Sequence, residues 1–160
     1  MTSTRQFERL MQLRRQRTRQ AEEALAAGQR HCRDLAAQCQ ALEASLIEHQ
    51  RTSTHREQMH FDASGHRPLD ADALADWQQT RIDDAERRES LLRQRQRQAQ
   101  KLRTAERERD TQAADWARHL RAQQALERLQ ADRHRAQAID AERLAELEME
   151  EMQSGRGDRT

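Results

Sequence analysis

A single proline, Pro68, stands near the middle of a 160-residue chain, three residues after Gly65. Proline lacks an N–H and its ring clashes with the turn before it, whereas glycine accepts positive φ freely. The stretch 61–72, which holds both, is the one place where this chain is built to reverse direction. On either side run long segments with almost nothing to stop a helix. The expectation is two long helices folded back on each other, the first over about 4–58, a bend over 59–70 and the second over 71–153. Residues 154–160, with Gly155 and Gly157, are expected to form a flexible tail.

Composition supports that plan. Ala (25), Leu (16), Glu (16), Arg (28) and Lys (1) make up more than half the chain, the mark of a coiled coil or long helix. Val, Tyr and Asn are absent and there are three Ile, so strand formers are scarce. Two Phe and two Trp cannot fill an ordinary globular core. A narrow seam between helices is what such a chain can bury. The fold class is therefore all-α: two long helices forming an antiparallel coiled-coil hairpin.

The first seam follows a 4-3 heptad rhythm through Phe7, Met11, Arg14, Thr18, Ala21, Leu25, Gly28, Cys32, Leu35, Cys39, Leu42, Leu46 and His49. Ser3 with Gln6 fits a capping box at its start. After the bend, Asp70 suits an N-cap, Asp72 favours the helix dipole, and Leu69 and Leu74 fit a hydrophobic staple. The second seam reads Leu74, Trp77, Ile82, Ala85, Leu92, Ala99, Leu102, Ala113, Trp116 and Leu120, interrupted by Arg88, Arg95 and Arg109. It then slips to Leu126, Leu129, Ala136, Leu144 and Leu147, which predicts a stutter near 120–126.

Folding the seams about the bend sets Leu46 near Ala85, Cys39 near Leu92, Cys32 near Ala99 and Met11 near Leu120. Facing numbers then add up to about 131, and Arg14 falls beside Trp116, where cation–π attraction would let it tolerate the seam. Residues beyond about 127 overhang and need a partner or a second copy. A seam so rich in Ala and Arg predicts moderate stability, suited to a part held inside something larger.

Charge is balanced, 29 basic residues against 28 acidic, so no net field argues for nucleic acid or membrane. Its distribution is uneven. Arg5, Arg9, Arg14, Arg15, Arg17 and Arg19 face only Glu8 in the first twenty residues, and 140–151 is acidic. The basic start is interleaved with Phe7, Leu10, Met11 and Leu13, which would be wasted in a DNA groove, so no nucleic-acid partner is expected. No apolar run reaches the roughly 18 residues of a membrane span, and the basic N-terminus lacks the apolar stretch of a secretory signal. A cytoplasmic protein without membrane insertion is expected.

No catalytic motif is present, and neither enzyme activity, cofactor nor metal is expected. His31, Cys32 and Cys39 could be drawn as ligands, but the two cysteines hold seam positions where small apolar residues belong. At about 10 Å along one helix they are also too far apart for a disulfide. His55, His60 and His66 gather near the bend and read as a solvated tip. Arg156-Gly157-Asp158 spells an adhesion tripeptide of a kind that recurs by chance. Leu10 and Leu13 lie off the seam, framed by arginines, and fit either added packing or a second interface.

The opening Phe7-Glu8-Arg9-Leu10-Met11-Gln12-Leu13-Arg14-Arg15, followed by Ala21-Glu22-Glu23-Ala24-Leu25, resembles the start of the stalk proteins of bacterial type III secretion. This is the YscO/FliJ-like group, with its Hrp branch in plant pathogens. The resemblance extends to length, the two-helix plan and the mid-chain bend. It implies a non-enzymatic central stalk whose terminal half enters the hexameric export ATPase and whose bend end points to the export gate. The stalk would be cytoplasmic and peripheral to the inner-membrane apparatus, and it would also meet secretion chaperones. Carried over, the ATPase-facing residues are Phe7, Leu10, Leu13, Arg14, Arg15 and Arg17. By position, the bend-end partner residues are Phe61, Leu69, Leu74 and Trp77. Gly28 and the acidic overhang match no feature of that family. A self-assembling structural coiled coil and an export chaperone or escort adaptor are the competing readings.

Overall fold

A computed structural model describes residues 2–65 and 67–158. Two helices account for nearly all of them: α1, Thr2–Ser64, and α2, Ala71–Gly157. The fold is all-α, with the two helices packed antiparallel as the heptads imply. The chain divides into two compact units. The hairpin unit is Ala24–Gln112 and contains the turn; the terminal unit combines Met1–Glu23 with Ala113–Thr160.

The turn is tighter than 59–70. Met59 to Ser64 hold no breaker, so α1 continues to Ser64, six residues past the expected end. It stops where Gly65 takes a left-handed φ of 48°, and the Arg67 N–H donates to the Ser64 carbonyl at 3.0 Å. Asp70 then caps α2: its Oδ1 accepts from the Ala73 N–H at 2.7 Å and its carbonyl from the Leu74 N–H at 3.0 Å. Leu69 and Leu74, the expected staple, both stay half-exposed. His66 lies outside the described residues. So do Arg159 and Thr160 of the expected tail, while Ser154–Gly157 belongs to α2 because the two glycines are too few to end a helix already formed.

All thirteen predicted seam positions of α1, Phe7 through His49, are buried or half-buried. Met11, Cys32 and Leu35 are the most enclosed apolar ones. The capping box is not used. The helix already begins at Thr2, and the Ser3 hydroxyl instead accepts a long hydrogen bond from Arg133 at 3.4 Å.

The register differs from the expected one by about six residues, the same amount by which α1 is longer. In the hairpin unit Cys32 and Leu35 cluster with Ala105 and Leu102, while Glu43 meets Arg95 at 3.0 Å and Ser53 meets Asp84 at 3.1 Å. Facing numbers there add up to 137 or 138. In the terminal unit Thr18 and His119, whose numbers add to 137, are joined by a hydrogen bond of 3.3 Å. Trp116 is therefore level with Ala21, and the expected Arg14–Trp116 stack gives way to Arg133 over Phe7, 5.3 Å from the ring centroid.

In α2 the predicted seam residues Trp77, Ala99, Leu102, Ala113, Trp116 and Leu120 are half-buried, but over 74–92 the inward face is rotated by about one position. Leu91 is 3% exposed and Leu92 40%, while Leu74, Ile82 and Ala85 face outward. Inward positions are largely polar: Thr80, Asp84, Gln94, Gln98, Gln112, His119 and Gln123. From Ala105 to Arg133 the buried and half-buried residues keep an unbroken 4-3 rhythm, so no stutter occurs at 120–126. Arg109 holds one of these positions, its guanidinium bonded to Asp110 at 3.1 Å, which raises its pKa above the ordinary value.

Gly28 shows how the polar seam is fitted. A Cβ at this position would lie 2.0 Å from Oε1 of Gln112, an atom that is buried without a hydrogen-bond partner. The obstacle is the end of a flexible side chain, free to swing to water. Gly28→Ala is therefore expected to stabilise the protein by about 0.5–1 kcal/mol through helix propensity and relief of the buried oxygen. Urea unfolding followed by circular dichroism checks the sign, and Gly28→Ala with Gln112→Ala removes the obstacle as a control.

Candidate interaction surfaces

In the terminal unit the six sequence-predicted residues split by role. Phe7 and Arg14 are half-buried in the seam, Phe7 beneath Arg133, and Arg14 lends its carbonyl to the Thr18 hydroxyl at 2.9 Å. Both are thus partly covered within the seam. Arg15 forms a loose ion pair with Glu127 at 3.8 Å along one flank of the seam. Leu10 at 41% exposure, Leu13 at 42% and Arg17 face outward. The outward set is the part able to meet a partner: two leucines with a cation on the same helix.

The flanks can be told apart. Arg15 and Glu127 each follow a seam residue, Arg14 and Leu126, by one position. Leu10 and Leu129 each precede one, Met11 and Gln130, and therefore line the opposite flank. Leu129 was read as a seam residue, but it is exposed and lies beside Leu10.

In the hairpin unit, three of the four bend-end residues line one open groove of about 680 Å³: Phe61, Leu69 and Trp77. Leu74 is not part of its wall. Phe61 is 80% exposed, the most open of the large apolar side chains here. Arg81, one turn after Trp77, stacks on the indole at 4.9 Å and approaches Glu57 at 3.8 Å. The i, i+4 spacing of Trp77 and Arg81 was the available sequence signal for this pair. The groove lining combines these apolar side chains with Arg81 and two carboxylates, Glu57 and Asp62.

A polar cluster that the heptad reading missed lies further along the hairpin. The Asp84 carboxylate accepts from Arg56 Nη2 at 2.8 Å and from the Ser53 hydroxyl at 3.1 Å. A ring N–H of His49 donates to the Asp84 carbonyl at 2.9 Å. Asp84 was invisible as a seam residue because a carboxylate gives no hydropathy signal. The interior partners explain why it can sit there.

Of the residues once drawn as metal ligands, Cys32 is buried against Leu35 and Ala105, Cys39 is half-buried in the seam and His31 is exposed. Cys32 is a core residue. Among the described residues no helix is long and apolar enough to cross a membrane. Compared with protein-family models, curated proteins and solved structures, the chain matches none.

Proposed function

We propose that the protein is a non-enzymatic central stalk component of a bacterial type III secretion apparatus. In this reading its terminal unit docks into the export ATPase ring, and the Phe61–Leu69–Trp77 groove serves the export gate or secretion chaperones. It works in the cytoplasm at the inner-membrane apparatus. The observation that carries the reading is the outward set Leu10, Leu13 and Arg17 on a helix whose seam residues are already satisfied. It joins the sequence resemblance of 7–25 to the stalk family.

Two antiparallel helices suit such a part physically. They resist bending more than one helix, and they present unequal faces to subunits arranged around them. Arginines framing exposed leucines make a rim that steers towards acidic loops and weakens with salt. Leu10→Asp with Leu13→Asp is expected to reduce capture of the cognate ATPase at least tenfold and to stop secretion. Helix content should be unchanged, since both side chains are partly solvated already. Intact capture and secretion would overturn this interface. Self-assembly remains the second reading, favoured by the exposure of every residue from 134 to 158.

A further inference from the structure

In the hairpin unit, most of the exposed apolar side chains share one face. On α1, Glu43, Ile47, Gln50, Thr54 and Glu57 are all exposed and each follows an inward residue by one position; Phe61 continues the row. On α2, Gln78, Arg81, Ala85, Leu92 and Arg95 likewise follow inward residues, and Arg88 falls in step with them. The ion pairs Glu43–Arg95 and Glu57–Arg81 bridge the two rows, which are therefore the two sides of a single face. Ile47 at 58% exposure, Phe61 at 80% and Leu92 at 40% lie on it, and Leu69 and Trp77 border it in the groove at the bend. Among the described residues of this unit the opposite face has one exposed large apolar side chain, Met59.

The face is patterned along its length. Glu57–Arg81, Gln50–Arg88 and Glu43–Arg95 are polar rungs one heptad apart, the numbers of each adding to 138. Between the rungs Ile47 is level with Leu92 and Thr54 with Ala85; beyond them Phe61 is level with Trp77. Charge divides by helix. The α1 row has two glutamates and no cation, whereas the α2 row has three arginines and no carboxylate. Such a face is complementary to a copy of itself when the α1 row of one lies over the α2 row of the other.

We infer that two copies of this chain associate through this face about a two-fold axis parallel to the hairpin helices, with both bends at the same end. Every residue of α1 then meets the second copy's α2 at its own level. The two ionic rungs become squares in which glutamate and arginine alternate. Between them Ile47 and Leu92 pack on the second copy's Leu92 and Ile47. Apolar surface leaving water drives the association, and the alternation of charge sets its orientation. The antiparallel alternative would lay arginines on arginines and glutamates on glutamates. The interface is isologous, so each contact occurs twice and the assembly closes at two. This inference does not rest on the export reading. It covers the Phe61–Leu69–Trp77 groove, so the dimer and a groove-bound partner exclude each other.

Sedimentation velocity of the full chain, from low to high micromolar concentration, tests it. The expected result is a concentration-dependent dimer. Ile47→Asp with Leu92→Asp, both outside the groove, should weaken it at least tenfold with helix content unchanged by circular dichroism. Leu10→Asp with Leu13→Asp, which tests the export reading, should leave the dimer intact. Glu43→Arg with Glu57→Arg, and separately Arg81→Glu with Arg95→Glu, should each weaken it about tenfold, and all four together should restore it. With Cys32 and Cys39 replaced, spin labels at Gln40 of the two copies should lie within about 20 Å of each other, against about 40 Å in the antiparallel arrangement. The longer distance would overturn the inference, as would a dimer that the four-fold swap fails to restore. A chain that stays monomeric throughout would overturn it too, leaving the face to a different protein.

Discussion

Leu91→Ala is expected to destabilise the protein by about 2–4 kcal/mol, and Leu92→Ala, one position on, by less than about 1 kcal/mol. The two leucines are chemically identical neighbours on one helix, 3% and 40% exposed respectively. Truncating the first removes apolar atoms from one of the few closed parts of the hairpin unit and leaves a cavity. Truncating the second removes atoms that water already touches. For a chain of this size each kcal/mol moves the melting temperature by about 2–4 °C, so the pair should separate clearly in thermal unfolding. Equal effects would mean that the inward face of α2 is placed wrongly.

The second large effect is expected at Asp84. Replacing it with alanine should cost about 1–2 kcal/mol, because the mostly covered Asp84 carboxylate is the 2.8 Å partner of the part-exposed Arg56, whose Nε is already buried without one. Ser53 loses its acceptor as well. The His49 bond goes to the backbone carbonyl and survives the substitution. Asp84→Leu combined with Arg56→Met should recover most of the loss, since it leaves neither a covered carboxylate nor an unpaired guanidinium behind. The exposed pair Glu57–Arg81 serves as the control, with an expected effect below about 1 kcal/mol for Glu57→Ala. If the Asp84 and Glu57 substitutions cost the same in urea unfolding, the cluster is not a structural anchor.

These two sites also mark where sequence reading succeeds and where it fails. The seam of α1 was legible because its inward positions are mostly apolar and separated by arginine and glutamine, so hydropathy and heptad period coincide. The seam of α2 was legible only in part: Trp77, Ala99, Leu102, Ala113, Trp116 and Leu120 are half-buried as the heptads place them, whereas Leu74, Ile82, Ala85 and Leu92 are exposed. Asp84, Gln94, Gln98 and Gln112 face inward with no hydropathy signal, and Leu91 beside Leu92 leaves the phase open to a one-residue error.

The register error has a separate cause. Nothing in 59–64 obliges a helix to continue or to stop. Only Gly65 sets its end, and six added residues on α1 shift every facing pair along α2. The same shift moves the start of the overhang from about 127 to 134. Of the candidate surfaces, the sequence marked Leu10 and Leu13 as off-seam, and they are outward. The heptad rhythm likewise set Arg14 in the seam, where it is half-buried, and left Arg17 off it, where it is exposed.

The central claim, an antiparallel pair in this register, is tested most directly by spin-label distances within the hairpin unit. With Cys32 and Cys39 replaced, labels at the exposed positions Gln38 and Gln100 should lie within about 20 Å of each other, because they differ in level by about one residue rise. Labels at Gln38 and Arg93 should lie several Å further apart. A reversed order would contradict the register, and a separation near 90 Å, the length of one continuous helix between those positions, would contradict the hairpin itself.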